Sequence, residues 1–86
     1  MSQQTATQSP MQRRIAEVLR GQYNPAEYHM ADLNVKAGIV RITANPVGTE
    51  TKEERLDGIR AILVHAKYTV KVTRTGMDVP CLEVTA

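Results

Sequence analysis

The chain has 86 residues, of which 42% are hydrophobic and none is Phe or Trp, so it can form one small domain with an aliphatic core. Its net charge of +2 is too small to indicate nucleic-acid binding by itself, and its single cysteine, Cys81, excludes an intramolecular disulfide framework. No apolar run approaches the roughly 20 residues of a membrane span, and the N-terminus lacks a hydrophobic signal core, so we expect a cytoplasmic protein.

The first elements are a polar tail and a helix. Residues 1–8 contain nothing large to bury and are predicted to be a disordered tail, which leaves residues 9–86 as a single domain. Ser9 and Pro10 are typical of a helix start, and Gln12 suits a capping box. The apolar residues that follow have helical spacing, and Gly21 suits the C-terminal end of the helix. The stripe consists of Met11, Ile15, Val18 and Leu19.

Two strands are expected next, the first with a competing interpretation. Apolar and polar residues alternate over residues 28–35 as in a strand, but a short helix from residue 25 to residue 33 also fits the sequence. We favour the strand because Lys36, Ala37 and Gly38 indicate a turn into the β-branched run 39–44. In that run Val40 and Ile42 would face inward.

The stretch 49–68 is the clearest amphipathic helix in the chain. Thr51 followed by Glu54 fits a capping box, and acidic residues crowd the start while His65 lies near the end, as the helix dipole favours. Gly58 in its middle costs about 1 kcal/mol relative to alanine, which close packing would offset. The apolar stripe consists of Leu56, Ile59, Ile62, Leu63 and Ala66.

The last two strands are predicted at residues 68–74 and 79–86, with a hairpin connection in which Gly76 is available for a positive φ. Because Pro80 cannot donate a ladder hydrogen bond, we expect its strand to start at an edge of the sheet.

The element order predicts an α+β fold: a two-layer sandwich in which two helices cover one face of a four-stranded, mostly antiparallel sheet. The order α-β-β-α-β-β and the similar sequences of residues 41–44 and 83–86 fit an internal duplication. Convergence fits equally well, since amphipathic helices and Val/Thr strands use few residue types.

The residues that could carry chemistry are few. His29, His65 and Cys81 are widely separated and match neither a metal-ligand spacing nor a nucleophile–base pair. The glycines are isolated, so no phosphate loop is present. We therefore expect no catalytic residues, no metal and no cofactor.

Two surfaces remain as candidates. The uncovered sheet face is predicted to bind a protein partner through Arg41, Thr43, Thr69, Lys71, Thr73, Glu83 and Thr85. Alternatively, a modest basic surface would bind nucleic acid through Arg13, Arg14, Arg20, Arg41, Lys71 and Arg74. The leading hypothesis is a non-enzymatic interaction module of adaptor or inhibitor type. It would act in regulation through a sheet edge or the open face, and its thin core also favours a homodimer or another homo-oligomer.

Overall fold

A computed structural model describes residues 9–45 and 50–86 of the chain. The tail predicted at residues 1–8 lies outside the described residues, as does most of the break predicted at residues 45–48. The α+β prediction is confirmed: two helices pack on one face of a four-stranded antiparallel sheet. The elements are α1 (Pro10–Leu19), β1 (Tyr28–Asn34), β2 (Ile39–Ala44), α2 (Lys52–His65), β3 (Thr69–Arg74) and β4 (Pro80–Thr85).

Both helices begin at the predicted capping residues. The Ser9 hydroxyl accepts from the Gln12 amide at 3.2 Å and donates to Asp32 on β1 at 2.8 Å, which ties the helix start to the sheet. At α2 the capping box is complete, because Thr51 and Glu54 each accept from the other's backbone amide. These contacts satisfy amide groups that the first turn of a helix leaves without partners.

The segment between α1 and β2 forms a strand, as favoured, and not the competing helix. A single 3-10 turn, Pro25–Glu27, precedes β1, and Tyr28 then begins regular antiparallel pairing with β2 opposite Ala44. The pairing becomes irregular between Asp32 and Asn34, where the strand carries a bulge.

The sheet order is β1-β2-β4-β3, so the expectation that β4 starts at an edge is wrong. β4 is a central strand, paired with β3 over its whole length and with β2 from Leu82 to Val84. Pro80 is tolerated because it is the first residue of the strand and lies beyond the residues that pair with β2, where no amide is needed.

The two hairpin turns use the left-handed region differently. Gly38 has φ +70° in the predicted turn between β1 and β2. In the turn between β3 and β4 the positive φ belongs to Asp78, at 64°, and not to Gly76 as expected. Asp78 tolerates it because its carboxylate and its carbonyl both accept from Arg74, at 2.6 and 3.1 Å.

The core lies between the helix layer and the inner face of the sheet. The alternation of the strands sends one set of side chains inward, and these meet the stripes of the two helices. The large side chains that are fully buried there are Ile15, Leu19, Val40, Ile42, Ile59, Leu63, Leu82 and Val84.

The two α-β-β halves correspond in detail. The buried positions of α1 match those of α2, always 44 residues apart: Met11 with Arg55, Gln12 with Leu56, Ile15 with Ile59, and Leu19 with Leu63. In the centre of the sheet the flanking β2–β4 pairs lie symmetrically about the pair Arg41 and Glu83. The halves are therefore related by an approximate two-fold axis near that pair.

Candidate functional site

Among the described residues no strand pairs with the outer side of β3, which is therefore one edge of the sheet. In the turn that follows the strand, the Thr75 amide donates to the Val79 carbonyl at 2.9 Å, which fixes the alternation of the β3–β4 ladder. Residues two apart share a direction, so Val70, Val72 and Arg74 direct their amide and carbonyl groups away from β4. β3 therefore presents a row of backbone donors and acceptors that have no partner in the described part of the chain.

The side chain of Val72 lies beside this row and is unusually open. It pairs with Leu82 and so shares the helix-covered face, yet it is 64% exposed because α2 does not cover it. A groove of about 340 Å³ opens here between α2 and the sheet. We call it the edge groove; its apolar walls are Leu56, Val72, Pro80 and Leu82.

The helix side of the edge groove carries negative charge. Glu53, Glu54 and Asp57 line it together with Arg60, which pairs with Asp57 at 3.4 Å. Three carboxylates thus stand against one guanidinium, although the chain as a whole has a net charge of +2. We refer to Glu53, Glu54 and Asp57 as the acidic rim.

The position of α2 over the groove is fixed by a buried arginine. Arg55 is 4% exposed and pairs with Glu50 and, at 3.5 Å, with Glu27 on the segment that leads into β1. Its guanidinium also lies 5.4 Å from the centroid of the Tyr23 ring. The hydrogen bond to Glu50 raises the pKa of Arg55 above its ordinary value, so the charge is retained.

The opposite edge of the sheet, β1, is less suited to adding a strand. Its inward side chains are covered, since Tyr28 is only 5% exposed and Met30 packs against the core. Its ladder is also interrupted by the bulge after Asp32. Bulges and irregular edges hinder the pairing of a further strand.

The seven residues predicted for the open face do lie together on the uncovered side of the sheet. A row of alternating charge crosses its middle, with Glu83 paired in register between Arg41 on β2 and Lys71 on β3. The threonines flank this row: Thr43, Thr69, Thr73 and Thr85. The seven residues are all polar or charged, and their charges are one carboxylate between two cations.

Cys81 lies on this face but is only 1% exposed. Burial raises the pKa of its thiol; nearby Arg41 partly opposes this effect, and Glu83 adds to it. The Arg41 Nε is itself buried and has no hydrogen-bond partner among the described residues. A buried thiol with a raised pKa is a poor nucleophile.

The two histidines and the cysteine lie apart in the fold. His29 faces Thr43 across the sheet, and Cys81 lies on the strand beyond, so the two are separated by about 10 Å, twice the strand spacing. His65 ends α2 on the other side of the sheet. Among residues 9–45 and 50–86 no three His, Cys, Asp or Glu side chains gather to hold a metal ion.

The six basic residues of the nucleic-acid hypothesis are not brought onto one surface. Arg41 and Lys71 lie on the open face, whereas Arg13, Arg14 and Arg20 belong to α1 on the opposite face. Two of the six are engaged in ion pairs, Arg20 with Glu17 at 2.9 Å and Arg74 with Asp78 at 2.6 Å.

The comparisons with protein-family models, curated proteins and solved structures give no match for this chain. No helix in the described part is both long and apolar enough to cross a membrane.

The edge groove was missed from the sequence. In the sequence, Glu53 and Asp57 have the pattern of a solvated helix face, and Val72 has that of an ordinary inward strand residue. The available signal was a valine placed in the inward phase of a strand that also carried Lys71 and Arg74, residues typical of edges.

Proposed function

We propose that this chain is a non-enzymatic protein-interaction module that binds an extended segment of a partner along β3. The observation that carries the proposal is the coincidence at Val72 of free backbone groups and a largely exposed apolar side chain next to the edge groove. Backbone hydrogen bonds supply affinity in strand addition, and a pocket for alternate side chains supplies selectivity. With such a site the chain would act in the cytoplasm as an adaptor or as an inhibitor of its partner.

The open face is the weaker of the two protein-binding surfaces. Its central charges, Arg41, Glu83 and Lys71, alternate across the strands, and its most central apolar residue, Cys81, is buried. Neither feature offers the exposed apolar anchor that dominates the energy of most interfaces. The edge, in contrast, supplies both an anchor site and unsatisfied hydrogen-bonding groups.

A proline scan of β3 tests the proposal. Val72→Pro removes an amide that points away from β4, so the protein should remain folded while strand addition at the edge is blocked. Lys71→Pro instead removes an amide that bonds to β4. It should destabilise the domain by about 3 kcal/mol, the cost of a proline in a helix interior, where a backbone hydrogen bond is likewise lost. Circular dichroism and urea unfolding of both variants check this assignment of the ladder.

The binding measurement uses a displayed library of random short peptides, selected on the wild-type chain and counter-selected on Val72→Pro. Enriched peptides should alternate apolar and polar residues and should lose binding to Val72→Pro. Val72→Thr, which keeps the amide and the branched shape, should retain part of that binding. A selection that enriches no peptide dependent on the Val72 amide would contradict the proposal.

Self-association through the same edge is the competing arrangement. Two β3 edges could pair into a continuous sheet, and this would appear as a dimer that Val72→Pro converts to monomer. Analytical ultracentrifugation of the two proteins distinguishes a second copy of the chain from a separate partner.

A further inference from the structure

We propose that the segment bound along β3 is basic: it places an apolar side chain in the edge groove and a lysine or arginine, two residues away, against the acidic rim. This inference rests on the proposed strand addition and adds the chemistry of the partner. The bound segment is thereby distinguished from a second copy of this chain.

The geometry of an added strand sets the spacing. Residues i and i+2 of a strand point to the same side, so the residue that enters the edge groove and those two positions away all face α2. The acidic rim lies on that helix, on the wall of the groove. A positive side chain at i+2 or i−2 would therefore approach Glu53 and Asp57, whereas the intervening residues would continue the polar open face.

The rim keeps negative charge available for such a contact. Arg60 compensates Asp57 only in part, at 3.4 Å, and Glu54 also accepts from the Thr51 amide as a cap. Glu53 is exposed in the first turn and has no ion-pair partner among the described residues. Complementary charge at the border of an apolar contact steers association and selects the partner more than it adds affinity.

A second copy of the chain fits this site poorly. Along β3 the cation that shares the face of Val72 is Arg74, and it is already held by the Asp78 carboxylate and carbonyl. Lys71 points to the open face instead. Pairing two β3 edges would bring two acidic rims toward each other, and neither β3 supplies a cation on that face that is not already held by Asp78.

The test uses synthetic peptides with blocked ends, so that no terminal charge contributes. One peptide has threonine at every second position and lysine, valine and lysine, in that order, at the positions between. This order places the valine and both lysines on one side of the strand. A second replaces the lysines by glutamate. A third has the same composition as the first but sets each lysine next to valine, so that they cannot share a side. Labelled peptides are titrated with the full chain by fluorescence anisotropy at low ionic strength.

We expect the lysine peptide to bind at least about tenfold more tightly than the glutamate and rearranged peptides. The double variant Glu53→Gln, Asp57→Asn should weaken the lysine peptide by about tenfold, since each exposed ion pair contributes up to about fivefold. Glu17→Gln, on α1 and outside the groove, is the matched control and should leave the affinity unchanged.

The outcomes separate the two proposals. Equal binding of lysine and glutamate peptides that Val72→Pro abolishes would overturn the basic partner and support strand addition. Lysine-peptide binding that the rim variant weakens but Val72→Pro does not would overturn strand addition and support a basic ligand of the groove. Failure of every peptide to bind would overturn both, as would a dimer that occupies the edge and is not displaced by the lysine peptide.

Discussion

Gly58 shows how one residue type is dictated by a neighbour distant in sequence. A Cβ at this position would overlap the Tyr23 hydroxyl, while the next ring atom, Cζ, would be 3.5 Å away, an ordinary contact. Glycine in a helix interior costs about 1 kcal/mol relative to alanine. The close approach of Tyr23, whose ring lies by Arg55, explains why this cost is accepted.

We therefore predict that the sign of Gly58→Ala depends on residue 23. In the wild-type chain the substitution should destabilise by about 1–3 kcal/mol, because the methyl group displaces the Tyr23 ring. In the Tyr23→Phe background it should stabilise by up to about 1 kcal/mol through helix propensity. Urea unfolding of the four proteins forms a double-mutant cycle. Stabilisation by Gly58→Ala in the wild-type chain would show that the hydroxyl moves aside at no cost.

Cys81 gives a prediction about alkaline pH. Burial raises the pKa of its thiol in the folded chain. At pH values between the pKa of the unfolded chain, about 8.5, and that of the folded chain, the unfolded chain therefore holds fewer protons than the folded one. The free energy of unfolding must then fall as pH rises from about 8.5. Tyr28, whose pKa burial also raises, adds a similar loss at higher pH.

The variant Cys81→Ala separates the contribution of the Cys81 thiol to this pH dependence from that of Tyr28. Its unfolding free energy should decline less between pH 8 and pH 10 than that of the wild-type chain, by at most about 1.4 kcal/mol for each unit of pKa difference. Urea titrations over this pH range measure the difference in slope, which is insensitive to any constant loss from the smaller side chain. Parallel curves for the two proteins would mean that the thiol ionises alike in the folded and unfolded chains.

At the scale of the elements, the helices were predictable because their signals are local. Ser9 and Thr51 lie in the sequence beside the amides that they cap, and the apolar stripes follow the helical period. The bounds of β2 were predicted as observed, since its β-branched run is flanked by turn residues.

Strand order was not predictable in the same way. Pro80 carries information only about its own amide, so it could not reveal that β2 pairs with β4 farther along the strand. Arg55 was missed as a buried residue for a similar reason. Its partners Glu27 and Glu50 come from segments whose positions are decided by tertiary packing. The edge groove depends on where α2 lies above β3, which no local pattern states.

At the scale of the whole molecule, the two-fold relation between the halves raises the question of what prevents each half from pairing with itself. The axis lies near Arg41 and Glu83, which face each other on adjacent strands. Because Glu83 exchanges ladder hydrogen bonds with Lys71, its pair with Arg41 is a non-hydrogen-bonded one, in which side chains are closest. Self-pairing of either half would set Arg41 against Arg41, or Glu83 against Glu83, and like charges in this position destabilise.

This arrangement predicts how the two halves behave as separate peptides. Fragments 9–45 and 50–86 each contain one α-β-β unit but only half of the shared core, and each is below the about 40 residues that fold without help. We expect each alone to be unfolded by circular dichroism and an equimolar mixture to regain helix and sheet as a heterodimer. The pair of Arg41 and Glu83 on the axis should favour this heterodimer over a homodimer of either fragment.

Exchanging the two charges at the axis tests whether they determine the pairing of unlike halves. Arg41→Glu in the first fragment should weaken assembly with the second about fivefold, corresponding to about 1 kcal/mol for an opposed like pair, and Glu83→Arg in the second should restore much of it. Titration of one fragment into the other, followed by ellipticity, gives the dissociation constants. A folded homodimer of the unmodified fragment 9–45 would mean that Arg41 does not enforce the pairing of unlike halves. Failure of the double exchange to recover affinity would instead place the preference in the core, where Met11 of one half corresponds to buried Arg55 of the other.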